Sequence, residues 1–162
     1  MIIESFDGQR EDEEITATWR QHPWVLMKPS IVVAVIIVLG SLPEAIWSPS
    51  WGITFMLLFT VVALLYGLMG YYLWLNTIYV LTNQRIFAIT QKALFYRLNT
   101  EVPLVNIQNV SHSQKGPGQM LLGFGNVEVE TSGAKTAMSL KNVEKPYRVQ
   151  QKILARQEKQ QV

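Results

Sequence analysis

The chain has 162 residues, enough for a small membrane region and one compact domain. It contains no cysteine, which excludes disulfides, thiolate catalysis and cysteine-based zinc sites. Its net charge of +2 hides an asymmetry: residues 1–28 carry six acidic and three basic residues, residues 85–162 carry eleven basic and five acidic, and Glu44 is the only charge between them.

Residues 1–23 read as an acidic cytoplasmic tail, marked by the run Glu11-Asp12-Glu13-Glu14. The hairpin predicted next covers residues 24–72, with spans at about 24–42 and 51–72. Ser30–Leu42 is uncharged and rich in Val and Ile, and Trp51–Trp74 is almost wholly apolar. Nineteen helical residues reach roughly 28 Å, close to the hydrocarbon thickness of a bilayer, and a charge left in hydrocarbon costs at least a few kcal/mol. A cleaved signal peptide fits poorly, because the first apolar run lies behind the acidic residues and a second span follows. The prolines of the connection Pro43–Ser50 stop the helix, and Trp47 and Trp51 suit an interfacial belt, with Trp24, Tyr71, Tyr72 and Trp74 opposite. No Lys or Arg lies in that connection, so the positive-inside rule predicts two crossings of the plasma (inner) membrane with both termini cytoplasmic. Ala63, Gly67 and Gly70 form a small-residue stripe that the first span, or a second protomer, could fill.

From Trp74 the period changes from helical to two, and residues 73–162 read as a cytoplasmic domain. Strands are predicted at Trp74–Leu81, Arg85–Thr90, Ala93–Leu98, two within Glu101–Ser113, Asn126–Thr131 and Lys135–Leu140, with turns at Asn99-Thr100 and at Ser132-Gly133-Ala134. Val127 and Val129 should face inward, with Glu128 and Glu130 in water. About seven short strands imply an antiparallel barrel or sandwich. The last segment reads as an amphipathic helix capped by Asn142, with Val143, Tyr147, Ile153 and Leu154 on one face, closing an open end of the barrel.

The series Tyr71-Tyr72-x-Trp74-x-Asn76-Thr77-x-Tyr79-x-Leu81-Thr82-Asn83-x-Arg85-Ile86 now stands out. With it go Glu101-Val102-Pro103-Leu104, Ile107-Gln108-Asn109-Val110, Leu121–Val127 and Glu130–Gly133. Together these resemble the bacterial pleckstrin-homology (PH) family of membrane proteins. The resemblance implies an α+β chain: a two-helix transmembrane hairpin followed by a seven-stranded antiparallel PH-like barrel with a C-terminal capping helix. Eukaryotic PH domains often bind lipid headgroups through a basic first hairpin. The turn Thr82–Arg85 holds one Arg, so the resemblance does not carry that recognition across.

Catalysis has little to build on. His22 and His112 are far apart in sequence, and strand neighbours such as Ser111 and His112 point to opposite faces. No spacing suggests a metal, and no cofactor or small-molecule substrate is implied. The stretch Gly116–Gly125 lacks the Gly-Lys-Ser/Thr ending of a phosphate loop and reads as a structural turn, with a helical turn over Gln119–Leu122. Scattered Lys and Arg without interleaved aromatics argue against nucleic acid.

Two groups remain as candidate contacts. Arg85, Lys92 and Arg97 could face anionic lipid, and the amides Asn106, Gln108 and Asn109 could meet a partner peptide or the domain's own backbone. The sequence thus suggests a non-catalytic membrane-anchored interaction module on the cytoplasmic face of a bacterial plasma membrane. It would contact the lipid bilayer and self-associate, forming a homo-oligomer, or hold another membrane protein. The alternative is an anionic-lipid-sensing domain.

Overall fold

The structure, a computed structural model, describes residues 12–46, 49–132 and 134–161. Trp47 and Gly133, assigned above to an aromatic belt and a turn, lie outside the described residues, as do residues 1–11. The chain divides into two units, one formed by residues 23–75 and the other by residues up to His22 together with those from Asn76 onward.

The first unit is a helical hairpin. A 3₁₀ turn at Pro23–Leu26 leads into helix α1 (Met27–Ile46), and α2 follows at Pro49–Leu75. Both are long and apolar enough to cross a membrane, and only 6% and 11% of their most apolar stretches are buried, unlike the core helix of a soluble protein. The small-residue stripe faces inward within the hairpin. Ala63 is buried, a methyl group on Gly67 would sit 3.4 Å from Val33, and one on Gly70 would sit 3.0 Å from Pro29. Gly40 of α1 does the same for Phe59, whose Cβ would lie 2.5 Å from an added methyl. Where apolar surface gains nothing by leaving lipid, such close backbone approach is what holds two helices together. Ser30 and Thr60 donate to the carbonyls of Leu26 and Met56 at 2.8 and 2.7 Å, so their hydroxyls are satisfied within their own helices.

The second unit contains two antiparallel sheets. The first has the order β1–β2–β3–β4, from Ile15–Arg20, Ile78–Thr82, Arg85–Ala93 and Tyr96–Pro103. The other has the order β5–β6–β7, from Ile107–Ser113, Phe124–Thr131 and Ala134–Glu144. A short helix α3 (Pro117–Leu122) links β5 to β6, and α4 (Pro146–Gln161) ends the domain. The hydrogen-bonded ladder does not close into the expected barrel. A single bridge, Gln21 to Val143, joins the sheets at one corner among the described residues.

Seven strands are present among the described residues, the expected number, but the strands expected at Ala93–Leu98 and from Glu101 are one strand, β4, and the seventh comes from an unexpected place. The expected acidic tail over residues 1–23 is not outside the domain where it is described: Ile15–Arg20 pair with β2, Arg20 lying opposite Ile78. Ala17 and Trp19 pack against the core. The hairpin is therefore inserted between two paired strands rather than placed ahead of the domain. Other boundaries shift for local reasons. The strand expected from Trp74 begins at Ile78, because α2 runs on to Leu75 through apolar residues that suit either structure. Asn99-Thr100 lie inside β4, and the turn falls at Leu94-Phe95. Asn142 caps no helix: it sits in β7 with φ +53°, Val143 is buried from that strand, and the helix starts at Pro146, which suits a first-turn position.

The core gathers Tyr79, Leu81, Ile86, Val127, Val129, Leu140 and Val143 from the strands, Leu104 from the 3₁₀ turn between β4 and β5, and Val149 and Ile153 from α4. Val127 and Val129 point in as expected, and Tyr147 is exposed rather than on the buried face. Ile153 is fully buried. We expect Ile153→Ala to cost about 2–5 kcal/mol, read as a lowered urea midpoint, because the helix cannot collapse onto the void without leaving both sheets.

Candidate interaction surface

Arg85, expected at a lipid-facing position, is 7% exposed. It opens β3, where the tight turn after β2 aims it back across the sheet. Its Nε and Nη2 donate to Glu13 Oε1 and Oε2 at 2.9 and 2.8 Å, and Nη1 donates to Glu101 Oε2 at 2.5 Å. The guanidinium also stacks over Phe87, 4.6 Å from the ring centre. Thr82 Oγ1 donates to Glu13 Oε1 at 2.8 Å, so the buried carboxylate is fully engaged. Hydrogen bonding to Glu13, with the nearby charges of Glu13 and Glu101, holds the Arg85 pKa above its usual value against burial, which lowers it. This is a structural clamp between β3, β4 and the segment leading into β1, and Arg85 is not available to a headgroup.

The sequence reading missed the partner of this clamp. Glu13 stands in a run of acids that looks like a solvated tail. Asn83 in the β2–β3 turn holds the same run, its Nδ2 bonding the Asp12 carbonyl at 2.9 Å and its Oδ1 accepting from the Glu14 amide at 3.0 Å.

Lys92 and Arg97 flank the β3–β4 turn, and both side chains are exposed or partly so. Lys92 Nζ lies 5.9 Å from the Tyr96 ring centre. Of the three basic residues proposed for lipid, the structure brings these two together and withdraws Arg85.

The amides Asn106, Gln108 and Asn109 are exposed near the start of β5. Asn109 Nδ2 donates to Glu130 Oε2 of the neighbouring strand at 3.2 Å. The backbone on which an incoming peptide would pair is engaged by α4. Gln150 Nε2 donates to the Val110 carbonyl at 2.5 Å and Gln157 Nε2 to the Ile107 carbonyl at 2.6 Å. These glutamines lie two helical turns apart and cap two acceptors on one strand, which blunts an edge that would otherwise invite another strand. Gln150 also meets His112 Nδ1 at 2.6 Å, and the His112 ring stands edge-on to Tyr147.

The ionisable groups that a catalytic reading would have to unite are thus engaged apart. Glu101 pairs with Arg85 in the four-stranded sheet, and His112 pairs with Gln150 from α4. Among the described residues there is no group of three or more His, Asp or Glu suited to a metal.

Tyr79 ties the two sheets together. Its hydroxyl accepts from Gln21 Nε2 at 3.2 Å and from the Lys141 amide at 3.1 Å, beside the Gln21–Val143 bridge. Burial raises its pKa above 10.0, with the bonds to Gln21 and Lys141 opposing the shift. A phenol held protonated in the fold and freer to ionise when unfolded contributes stability below its ordinary pKa, lost as pH rises through the raised one. Stability should therefore fall at alkaline pH above about 10. Tyr79→Phe should flatten that fall while lowering stability at neutral pH by about 1–3 kcal/mol, since the Lys141 amide loses its acceptor. Urea titrations of both proteins at neutral and alkaline pH test this.

A family model described as bacterial PH domain matches residues 29–157. A comparison with curated proteins returned no match. Among solved structures, the chain is similar to a DUF1696 family protein with a pleckstrin-homology domain from Shewanella loihica PV-4, at 16% identity over 51% of this chain and 72% of that one, with a TM-score of 0.41. The family match covers most of the chain, including nearly all of the apolar hairpin, the six strands β2 to β7 and most of the terminal helix: the chain belongs to the bacterial PH domain family.

Proposed function

We propose that this protein is a non-catalytic, membrane-anchored PH-like module on the cytoplasmic face of a bacterial plasma membrane, where it self-associates or holds a protein partner. The observation that carries this reading is the insertion of two apolar, membrane-length helices between Arg20 and Ile78, which are partners in one sheet. A domain threaded through its own anchor is attached at two points rather than on a tether. The positive-inside distribution of Lys and Arg supports the orientation. Family membership supports a binding role, as does the use of Arg85, Glu13, Glu101 and His112 in holding the fold. Cross-linking in native membranes, followed by solubilisation in mild detergent and light scattering, tests the idea. A homo-oligomer or a co-purifying membrane protein is the expected result, and a strict monomer with no captured partner would contradict it.

A second reading, contact with anionic lipid, is favoured by exposed Lys92 and Arg97 on either side of one hairpin turn. Its test must use the whole chain, since a fragment starting at residue 75 lacks β1.

A further inference from the structure

The strand directions define one end of the PH-like domain. The chain leaves the four-stranded sheet after Arg20 and returns to it at Ile78, and Ile78 lies opposite Ile89 of β3. From Ile89 the β3–β4 hairpin continues four residues to Ala93, so its tip projects about 13 Å past that row at 3.3 Å per residue. The tip is apolar and bare. Phe95 is 98% exposed, with Leu94 and Tyr96 half exposed beside it. Aromatic side chains standing free in water are unusual at a turn, where Gly, Asn and Asp serve better.

A second apolar projection lies at the same end. Gln21 bridges to Val143, the His22 amide donates to the Asn142 carbonyl at 2.7 Å, and the His22 ring stacks on Phe124 at 4.8 Å. Phe124 opens β6, one residue after α3 and Gly123. Leu121 of α3 is 86% exposed, and Met120 and Leu122 are exposed with it. Lys92, Arg97 and Lys115 accompany the two projections, and Glu144 at this end pairs with Lys145 at 3.5 Å. Asp12 and Glu14 are fixed to the Asn83 turn at the opposite end, where Glu130 lies near the last residue of β6 and the end of α4 brings Lys159 as well.

We infer that these two projections, Leu94–Tyr96 and Met120–Leu122, dip into the headgroup boundary of an anionic bilayer, with Lys92, Arg97 and Lys115 collaring them against lipid phosphates. The occupant is lipid rather than protein because the strands flanking the apolar helices end here, and because basic side chains ring apolar tips as an interfacial segment requires. This rests on the membrane-anchored reading above, and it assigns the docking of the domain to residues outside the anchor.

The chain has no cysteine, so single reporters are clean. Phe95→Cys, Leu121→Cys, Leu64→Cys in α2 and Ser132→Cys at the far turn would each carry an environment-sensitive fluorophore, in full-length protein reconstituted into phosphatidylglycerol–phosphatidylcholine vesicles. Expected are blue-shifted emission and quenching by doxyl-labelled lipid at positions 64, 95 and 121, with position 132 quenched by aqueous iodide alone. Lys92→Glu with Arg97→Glu should reduce lipid quenching at 95 and leave 64 unchanged. An unchanged signal at 95 overturns the anionic assignment. Quenching at 64 with 95 and 121 open to iodide overturns the docking and leaves the anchor standing. Positions 95 and 121 shielded from both quenchers would mean a protein cover, which also overturns it. No lipid quenching at 64 removes the anchor, and the docking falls with it.

Discussion

Glu13→Ala should destabilise the PH-like domain by about 3–5 kcal/mol, one of the two largest effects expected in this protein. The size follows from what is left behind. Removing the carboxylate strands the Arg85 guanidinium, 7% exposed, with the half-exposed Glu101 as its remaining charge partner, while Thr82 Oγ1 keeps the Arg85 carbonyl as an acceptor at 3.0 Å. A buried charge without its partner is far costlier than the pair is beneficial. The double replacement Glu13→Leu with Arg85→Met should therefore recover most of the loss, since two apolar chains of similar bulk need no partner. Urea midpoints for the wild type, both single variants and the double variant complete the cycle. A Glu13→Ala midpoint equal to wild type would show that residues 12–14 are a solvated tail after all.

The other large effect is loss of the first strand. A fragment of residues 76–162 should show no cooperative unfolding transition. Without β1 the central strand β2 becomes an edge with open backbone groups, the packing of Ala17 and Trp19 is gone, and Arg85 loses Glu13. Residues 12–22 joined to residues 76–162 by a short Gly/Ser linker should behave differently. Arg20 and Ile78 are already register partners, so the linker spans a short gap where the hairpin stood. That protein should be soluble without detergent and unfold in one transition. Equal stability of the shorter fragment would contradict the role given to β1.

The hairpin was readable because charge is nearly absent from it, with Lys28 and Glu44 alone near the ends of its first helix, a signal that needs no knowledge of contacts. The alternation of Val127, Glu128, Val129 and Glu130 was readable for a similar reason: a strand with one wet face prints its period in the sequence. Ile15, Ala17 and Trp19 carry the same period, yet they sit beside Asp12, Glu13 and Glu14 and pair with residues 60 or more positions away across the hairpin. Nothing local announces such a pairing. The Arg85 misreading has the same origin, since a lone Arg in a turn looks solvated until its distant carboxylate is seen. The Leu94-Phe95 turn was hidden because it uses apolar residues where turn chemistry calls for polar ones. The glutamine caps on β5 were invisible as well: Gln150 and Gln157 look like surface helix residues until the strand beneath them is known.

The proposal that the domain is cytoplasmic and threaded through a membrane hairpin is tested most directly by labelling from outside the cell. Single cysteines at Thr16 in β1, Ser48 between the two apolar segments, and Ser132 at the β6–β7 turn would be exposed to a membrane-impermeant maleimide in intact bacterial cells, and again after permeabilisation. The account predicts labelling of Ser48→Cys in intact cells, with Thr16→Cys and Ser132→Cys labelled only once the membrane is opened. Labelling of position 16 or 132 in intact cells, or protection of position 48 there, would contradict it.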